Sequence, residues 1–282
     1  MNKEETKKIV REGYAKVATQ KSSCCGPVDS CCGTVDKAQD ISKKVGYTEE
    51  ELKSIPEGAN LGLGCGNPVA IALLKEGETV IDLGSGPGLD CFLAADKVGK
   101  SGKVIGVDMT QEMLEKARSN AVKGNYSNVD FRLGEIENLP IADNSVDVVI
   151  SNCVINLSPD KESVFKETFR VLKPGGRIMV SDVVLSEELP EFINDSIDAY
   201  IGCISGAITK DKYIATVRSA GFQDINIMGE VTIPVEEWVN DPIASSITEK
   251  LQISAEEARE VLSSVISVKV KAFKKQDTIK GE

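Results

Sequence analysis

The sequence predicts an α/β fold, doubly wound around a mostly parallel sheet. From residue 78 onward, short apolar runs alternate with amphipathic helical segments, as buried parallel strands and their crossover helices do. The first run, ETVIDLG, enters a glycine-rich turn that opens a helix. Near the end of the chain, FQDINIMGEVTIP and VISVKVKAFK are two more apolar runs. They supply the strands that complete such a sheet.

Four segments precede the alternating pattern. Apolar spacing predicts a helix over 4–20. The stretch CCGPVDSCCGTVD, over 24–36, is loop by composition. TEEELKSIP predicts a short helix that begins after Thr48 as its cap. LGLGCGNPVAIALL, over 61–74, indicates a glycine-rich turn followed by a short apolar segment.

The alternating region contains five predicted strands. They cover residues 78–84, 102–108, 129–135, 145–154 and 177–184. The first helix between them spans 90–99, and the second is capped by Thr110 and stopped by Gly124. The third, DKESVFKETFRVLKPGG, is predicted to end at its Pro-Gly-Gly.

The remaining pattern is mostly helical over 185–220 and again around 235–264. Three parts are therefore expected. They are an N-terminal helix with a Cys-rich arm (1–60), a core (61–184) and a C-terminal region that completes the sheet (185–282).

Composition excludes several classes of partner. Lys and Arg number 33 against 44 Asp and Glu, so the formal charge is −11. Nucleic acids and anionic membrane surfaces need a basic face, and no apolar run approaches the roughly 18 residues of a membrane span. The charged start, MNKEETKKIVREGYAKVA, is unlike a secretory leader, so we expect a cytoplasmic protein with reduced thiols. Eight cysteines and no histidine then favour metal, metalloid or redox chemistry over structural disulfides.

The turn IDLGSGPGLD has the features of a nucleoside cofactor site. Gly84, Gly86 and Gly88 let the backbone approach a ligand, and Asp108 at the end of the next strand can accept ribose hydroxyls. The spacing is G-x-G-x-G, not the dinucleotide G-x-G-x-x-G, and no Gly-Lys-Ser/Thr of a P-loop follows. Asp82 would repel a pyrophosphate but suits the cationic end of S-adenosylmethionine.

The core resembles the class I S-adenosylmethionine-dependent methyltransferases. VIDLGSGPGLD, VIGVDMT, LGEIENLPIADNSVDVVISN and RVLKPGGRIMVSD carry the resemblance across residues 78–184. It implies a seven-stranded sheet with one antiparallel strand, and a cofactor site within 61–184. The implied cofactor residues are Asp82, Gly84, Ser85, Gly86 and Gly88 at the methionine part, Asp108 and Met109 at ribose and adenine, Glu135 and Ile136 at the adenine edge, and Asn152 under the sulfonium.

Four cysteines lie outside the arm. Cys91 follows the glycine turn among apolar neighbours, which is typical of a small buried residue. Cys153 comes directly after the fourth strand, at the sheet edge where ligands bind. Cys65 and Cys203 adjoin glycines, whose backbone freedom lets a neighbouring side chain face a ligand.

The phrases GLGCGNP, SNCVINL and GCISGA extend the resemblance to the arsenite methyltransferase family, over about residues 5–235. The resemblance implies that Cys153 and Cys203 hold As(III) as thiolates. Cys65 would join them with an N-terminal cysteine, in binding and redox steps. The arm offers four candidates, and we favour Cys31 or Cys32 because they are nearer to Cys65 in sequence.

Arsenic chemistry explains why the chain needs thiols but no imidazole. As(III) is soft, prefers thiolate ligands and keeps a lone pair that can attack a sulfonium methyl without a base to remove a proton. Methylation oxidises arsenic to As(V), and a thiol pair that becomes a disulfide returns two electrons. Thioredoxin or glutathione would then serve as the external thiol reductant. Arsenite and methylated arsenicals are the expected small-molecule substrates, in arsenic detoxification.

Other interpretations remain open at the level of sequence. The arm's CC-x5-CC could bind zinc, although zinc pairs are usually C-x2-C, or it could capture metalloid for the site. The core motifs also fit a C- or O-methyltransferase of a quinone-like molecule. A non-catalytic metalloid-binding protein with a degenerate cofactor fold is a third possibility, against which the intact IDLGSGPG argues.

Overall fold

The computed structural model describes residues 2–19, 33–189, 206–232 and 263–276. Its centre is a seven-stranded sheet in the order β3-β2-β1-β4-β5-β7-β6. The strands are β1 (Thr79–Leu83), β2 (Lys103–Asp108), β3 (Val129–Leu133), β4 (Val146–Asn152), β5 (Leu172–Leu185), β6 (Gln223–Thr232) and β7 (Val265–Phe273). Only β7 runs antiparallel to its neighbours, β5 and β6. The predicted doubly wound sheet with one antiparallel strand is confirmed.

The described helices flank this sheet. They are α1 (Lys3–Thr19), α2 (Gly33–Lys44), α3 (Glu49–Ser54), α4 (Pro68–Ala72), α5 (Leu89–Val98), α6 (Gln111–Lys123), α7 (Lys161–Val171) and α8 (Lys210–Ser219), with a 3-10 turn over Ile155–Leu157. The helix predicted around 235–264 lies outside the described residues, apart from positions 263 and 264. Of the predicted helical region 185–220, residues 190–205 also lie outside them. None of the helices described is long and apolar enough to cross a bilayer.

Two predicted caps have a different basis from the one expected. Thr110 is the N-cap of α6, but its side chain makes no capping hydrogen bond, and its N–H donates to Asp108 Oδ1 at 2.8 Å. Gly124 is the C-cap with an ordinary φ of −86°. A Cβ there would lie 2.6 Å from Pro56 Cγ, so space rather than conformational freedom requires the glycine. The capping box at Thr48 is confirmed.

The predicted end of α7 is wrong. The helix stops at Val171, before the Pro-Gly-Gly, and β5 begins at Leu172. Lys173 precedes Pro174, and a residue before proline is biased away from helical angles. The extended backbone after Leu172 is held by hydrogen bonds to Lys274, the residue directly after β7. Gly175 N donates to Lys274 O at 3.0 Å, and Lys274 N donates to Gly176 O at 2.8 Å.

The core forms two layers, one on each face of the sheet. Alternate residues of each strand point to opposite faces, so Val80 belongs to one cluster and Ile81 to the other. Phe165 of α7 and Tyr213 of α8 cover one face, and Phe92 of α5 covers the other. Burial of the central strands on both sides explains their nearly continuous apolar sequence. Because these strands run parallel, their carboxyl ends meet at one edge of the sheet, where a ligand can bind.

Candidate active site

A cleft opens at the carboxyl ends of β1, β2 and β4. Its walls come from Asp82, the glycine turn, Asp108 and the segment 152–154, and residues 59–64 close another side. Val10 and Tyr14 of α1 also line it. The cleft encloses about 750 Å³, including the part that is open to solvent.

The three glycines of the turn meet different surroundings. Gly84, Gly86 and Gly88 all have positive φ angles, of 66°, 51° and 103°. A Cβ on Gly84 would overlap Val154, and one on Gly88 would lie 2.7 Å from Phe92. A Cβ on Gly86 would meet nothing within 4 Å. Gly86 therefore leaves open space beside the backbone, as the approach of a ligand requires.

Three buried carboxyl groups gather around this turn. Asp82, Asp90 and Asp108 are 2%, 6% and 8% exposed. Burial raises the pKa of Asp82 well above its ordinary value, and the charge of Asp90 raises it further. Burial also raises the pKa of Asp90, to about 6, and that of Asp108. Among the described residues, none of the three forms an ion pair with Lys or Arg.

Each of these carboxyl groups has donors from the protein. Asp108 Oδ2 accepts from Gly86 N at 2.9 Å, which ties the end of β2 to the glycine turn. Cys91 Sγ donates to Asp82 Oδ2 at 3.3 Å. The predicted burial of Cys91 is confirmed, and its neighbourhood raises the thiol's pKa well above the ordinary value, mainly through burial. Fixed carboxyl groups without a cation form a site suited to a positively charged ligand.

Asn152, at the end of β4, holds the loop that carries Cys65. Its Oδ1 accepts from Cys65 N at 3.0 Å and lies 3.8 Å from Cys65 Sγ. Its Nδ2 lies within hydrogen-bond distance of Gly66 O at 2.8 Å, Tyr47 Oη at 2.8 Å and Asp90 Oδ2 at 3.0 Å. On the other side of the loop, Ser267 of β7 donates its hydroxyl to Cys65 O at 2.9 Å.

The glycines beside Cys65 serve close packing. Neither Gly64 nor Gly66 has a positive φ. A Cβ on Gly64 would lie 2.5 Å from Asn152 Nδ2, and one on Gly66 would lie 2.6 Å from Ser181 Oγ. The expectation that backbone freedom explains these glycines is therefore wrong for this loop, because the neighbouring side chains leave no space for a Cβ.

Cys153 lies at the wall of the cleft. It follows β4 with a left-handed φ of 58°, and its N–H donates to Ser181 O at 2.8 Å. It lines the cleft together with Asn152 and is 9% exposed. This left-handed turn ends the strand's alternation and brings the thiol to the edge of the sheet.

The candidate cofactor residues divide into two groups. Those that line the cleft are Asp82, Gly84, Ser85, Gly86, Asp108, Met109 and Asn152. Gly88, Glu135 and Ile136 are not among its described lining residues. Ile136 is buried in the core, and Glu135 accepts from Lys7 Nζ at 2.7 Å. Cys31, Cys32 and Cys203 lie outside the described residues. Within the described residues, no three His, Cys, Asp or Glu side chains are placed so that they could hold one metal ion.

Sequence analysis missed three contributors to this region. Tyr47 reaches Asn152 from the turn before α3, and Asp90 reaches it from α5. Lys7 of α1 pairs with Glu135 at 2.7 Å and with Glu137 at 3.5 Å. Asp90 could have been suspected from the sequence. It is an acid in the first turn of the helix after the glycine loop, where it would repel an anionic ligand and favour a cationic one. No sequence pattern indicated Tyr47 or Lys7, because their partners are distant in the sequence.

Comparisons with known proteins agree on one family. The model of a methyltransferase domain family matches residues 74–221. An arsenite methyltransferase of Halobacterium salinarum is 49% identical over 246 residues, which are 84% of this chain and 63% of that protein. One from Aquipseudomonas alcaligenes is 42% identical over 203 residues, 70% of this chain and 56% of that protein. The chain thus spans less than two thirds of the length of these curated relatives.

A solved structure shows the same arrangement of elements. It is an arsenic(III) S-adenosylmethionine methyltransferase from Chlamydomonas reinhardtii, 32% identical to this chain, with a TM-score of 0.62. The match covers 86% of this chain and 75% of that one. The residues matched by the methyltransferase family model, 74–221, include the glycine turn and β1 to β5.

Proposed function

Because the chain belongs to the arsenite methyltransferase family, we propose that it transfers the methyl group of S-adenosylmethionine to thiolate-bound As(III). The observation that carries the proposal is the juxtaposition in one cleft of a fixed, uncompensated acidic cluster and the thiol of Cys153. A cationic methyl donor and a soft acceptor are the two ligands these groups prefer.

The residues of the cleft fit the cofactor. S-Adenosylmethionine, when bound, supplies a methyl group on a positively charged sulfur. Asp82 and the backbone of Gly84, Ser85 and Gly86 would hold its methionine part, and the buried Ser85 Oγ has no protein partner among the described residues. Asp108 would accept ribose hydroxyls, and Met109 would lie against the nucleoside. Of the remaining candidates, Gly88 shapes the turn. The adenine-edge role of Glu135 and Ile136 rests on the family resemblance alone, since neither is among the described lining residues of the cleft.

The thiols provide the acceptor site. Cys153 and Cys203 would bind As(III) as thiolates, with Cys65 as a third ligand. Each thiol that binds As(OH)3 passes its proton to a departing hydroxide, which leaves as water, and an As–S bond replaces the As–O bond. No base is needed to activate the acceptor, since the arsenic lone pair carries no proton. The protein's contribution is orientation, which the fixed turn at Cys153 and the anchored loop at Cys65 supply.

Turnover with arsenite and a thiol reductant tests the proposal. We expect methylated arsenicals from the intact protein, and a loss of at least about 100-fold in Cys153→Ser and Cys203→Ser with cofactor binding retained. Cys24→Ser, in the arm but outside the favoured pair, is the matched control and should keep its activity.

Each alternative predicts a different result. Cofactor binding with arsenite left untouched would favour a quinone-like substrate, and demethylated quinones would then be assayed. Arsenite binding without cofactor binding would favour a non-catalytic metalloid-binding protein. Full activity in Cys153→Ser would contradict the assigned arsenic ligands.

A thiol pair completes the redox balance. Each methylation leaves arsenic as As(V), and its return to As(III) takes two electrons. Cys65 and an arm cysteine, Cys31 or Cys32, supply them by forming a disulfide and releasing two protons. Thioredoxin or glutathione of a reducing cytoplasm would reset the pair.

Disulfide mapping after a single turnover tests this pairing. We expect a new disulfide between Cys65 and an arm cysteine that is absent before arsenite is added. A turnover that leaves every Cys65 thiol reduced would contradict the role, and a disulfide to Cys24 or Cys25 would reassign the partner.

A further inference from the structure

Asp90, Tyr47 and Asn152 form a closed hydrogen-bonded triangle between the cofactor end of the cleft and the Cys65 loop. Tyr47 Oη donates to Asp90 Oδ1 at 2.7 Å, and Asn152 Nδ2 donates towards Asp90 Oδ2 at 3.0 Å. Asn152 Nδ2 also lies 2.8 Å from Tyr47 Oη. Tyr47 is 3% exposed and Asp90 6%, so water does not compete for these bonds.

The triangle fixes the Asn152 amide, and the amide fixes Cys65. Its oxygen accepts from Cys65 N at 3.0 Å, and its nitrogen is within reach of Gly66 O at 2.8 Å. An amide whose two ends are both bonded cannot rotate without breaking contacts on each side. Any change in Asp90 that shifts the amide is therefore transmitted to the backbone of the loop.

Asp90 is the member that a cofactor would change. It lines the cleft with Asp82, so a cationic ligand bound there would attract and hold its carboxylate. The same carboxylate accepts from Tyr47 and Asn152, so a carboxylate fixed by the ligand also fixes these two partners.

We propose that Asp90, Tyr47 and Asn152 are positioning residues that couple occupancy of the cofactor cleft to the geometry of Cys65. The inference rests on the proposed function, because its trigger is a cationic cofactor. It assigns to Asn152 the role of holding the loop that carries Cys65 (the thiol loop), in addition to any contact with the cofactor. By thermodynamic reciprocity, a correctly held Cys65 loop also strengthens cofactor binding.

The chemical result is a change in how firmly the Cys65 thiol is held. Cys65 Sγ donates towards Asn152 Oδ1 at 3.8 Å. Cofactor binding would thus keep the thiol in one orientation beside the acceptor and slow its reaction with other electrophiles.

Alkylation kinetics by mass spectrometry can follow each thiol separately. Trypsin releases Cys65 in the peptide 54–75, Cys91 in 76–97 and Cys153 in 133–161, each with a single cysteine. The intact protein is alkylated with iodoacetamide, with and without S-adenosylmethionine and in the absence of arsenite. Calorimetry on the same samples measures cofactor binding independently.

Cys153 and Cys91 are internal controls. Cys153 lines the cleft, so a bound cofactor shields it directly. Cys65 is not among the described lining residues, so its protection must come through the loop. Cys91 is fully buried and stays unreactive while the fold is intact. A rise in its alkylation would report a variant that fails to fold.

In the wild type we expect saturating cofactor to slow alkylation of Cys65 at least about fivefold, the lower end of usual coupling between sites. Tyr47→Phe removes the hydroxyl and keeps the ring, so it should bind cofactor and protect Cys153 but lose the effect on Cys65. Asp90→Asn at saturating cofactor should behave in the same way. Asp90→Asn provides a second measurement if the Tyr47→Phe variant does not fold.

Two results would overturn the inference while leaving the proposed function intact. One is cofactor binding that protects Cys153 but does not alter Cys65 in the wild type. The other is equal protection of Cys65 in wild type and in both variants, which would indicate direct shielding. A failure of S-adenosylmethionine to bind at all would overturn the proposed function itself, and this inference with it.

Discussion

Gly66 illustrates how a single position sets the geometry of the thiol loop. The space that a side chain would need is occupied by Ser181, whose Oγ would lie 2.6 Å and Cβ 2.7 Å from a Cβ on Gly66. Ser181 also accepts from Cys153 N through its carbonyl oxygen. One strand residue thus sets the separation between the loop of Cys65 and the turn of Cys153.

Gly66→Ala should therefore lower the free energy of unfolding by about 1–3 kcal/mol, as overpacking usually does. Urea denaturation measures it. Gly86→Ala is the contrasting variant, since no atom lies within 4 Å of its Cβ position. In Gly86→Ala the free energy of unfolding should fall by about 1–2 kcal/mol, because the backbone φ of 51° is unfavourable for a residue with a Cβ. This variant should weaken cofactor binding, and equal cofactor loss in Gly66→Ala would contradict this division.

We expect Asp90 to make cofactor affinity depend on pH. Burial raises its pKa to about 6, so the site prefers a proton below that pH and a cation above it. S-Adenosylmethionine should lose affinity by up to about tenfold per pH unit as the pH falls below 6. S-Adenosylhomocysteine lacks the sulfonium charge and should lose less.

Calorimetry between pH 5 and 8 would measure both ligands. The Asp90→Asn side chain cannot titrate, so in this variant the affinity for S-adenosylmethionine should change less with pH. The difference in pH dependence between S-adenosylmethionine and S-adenosylhomocysteine should also become smaller. Parallel loss of both ligands in the wild type would mean that charge at the sulfur is not what the acidic cluster recognises.

At the scale of elements, α1 is clamped across the cleft by charge. Lys7 has a side chain only 11% exposed and pairs with Glu135 at 2.7 Å and Glu137 at 3.5 Å. At the start of the helix, Lys3 pairs with Asp160 at 2.6 Å. These contacts hold Tyr14 at the cleft wall.

Lys7→Ala should loosen this clamp and weaken cofactor binding about tenfold, or roughly 1.4 kcal/mol. Lys8→Ala is the matched control, since Lys8 is 73% exposed and lies 3.9 Å from Glu12 in an ordinary i,i+4 pair. Its effect should be about 0.3–0.5 kcal/mol on stability and none on binding. Equal cofactor affinity in Lys7→Ala and wild type, by calorimetry, would show that α1 does not close the cleft.

Sequence patterns predicted most elements but not every boundary. The central strands have apolar runs on both faces, so β1 and β2 were found within one or two residues. The end of α7 was misplaced because pairing of Leu172 with Val146 extends β5 towards the helix, and such pairing leaves no local signal. Gly124 was placed correctly for the wrong physical reason, since its need is space beside Pro56.

For the molecule as a whole, the site was predictable where topology decides it. Ligands bind at the carboxyl ends of parallel strands, so Cys153 could be placed at the cleft from its position alone. Asp82 was predicted from its charge directly before the glycine turn, and both residues line the cleft. The contact of Asn152 with Tyr47 joins residues 105 positions apart, and no periodicity relates them. Glu135 was given to the adenine edge by resemblance, and its pairing with Lys7 across 128 positions could not be read locally.

The bond from Ser267 to Cys65 O spans 202 positions and has a consequence for biosynthesis. β7 follows every other described strand along the chain, yet it inserts between β5 and β6 and holds the loop of Cys65. That loop can therefore be anchored only after residue 267 has left the ribosome. A nascent chain can assemble its glycine turn well before the loop of Cys65 is held in place.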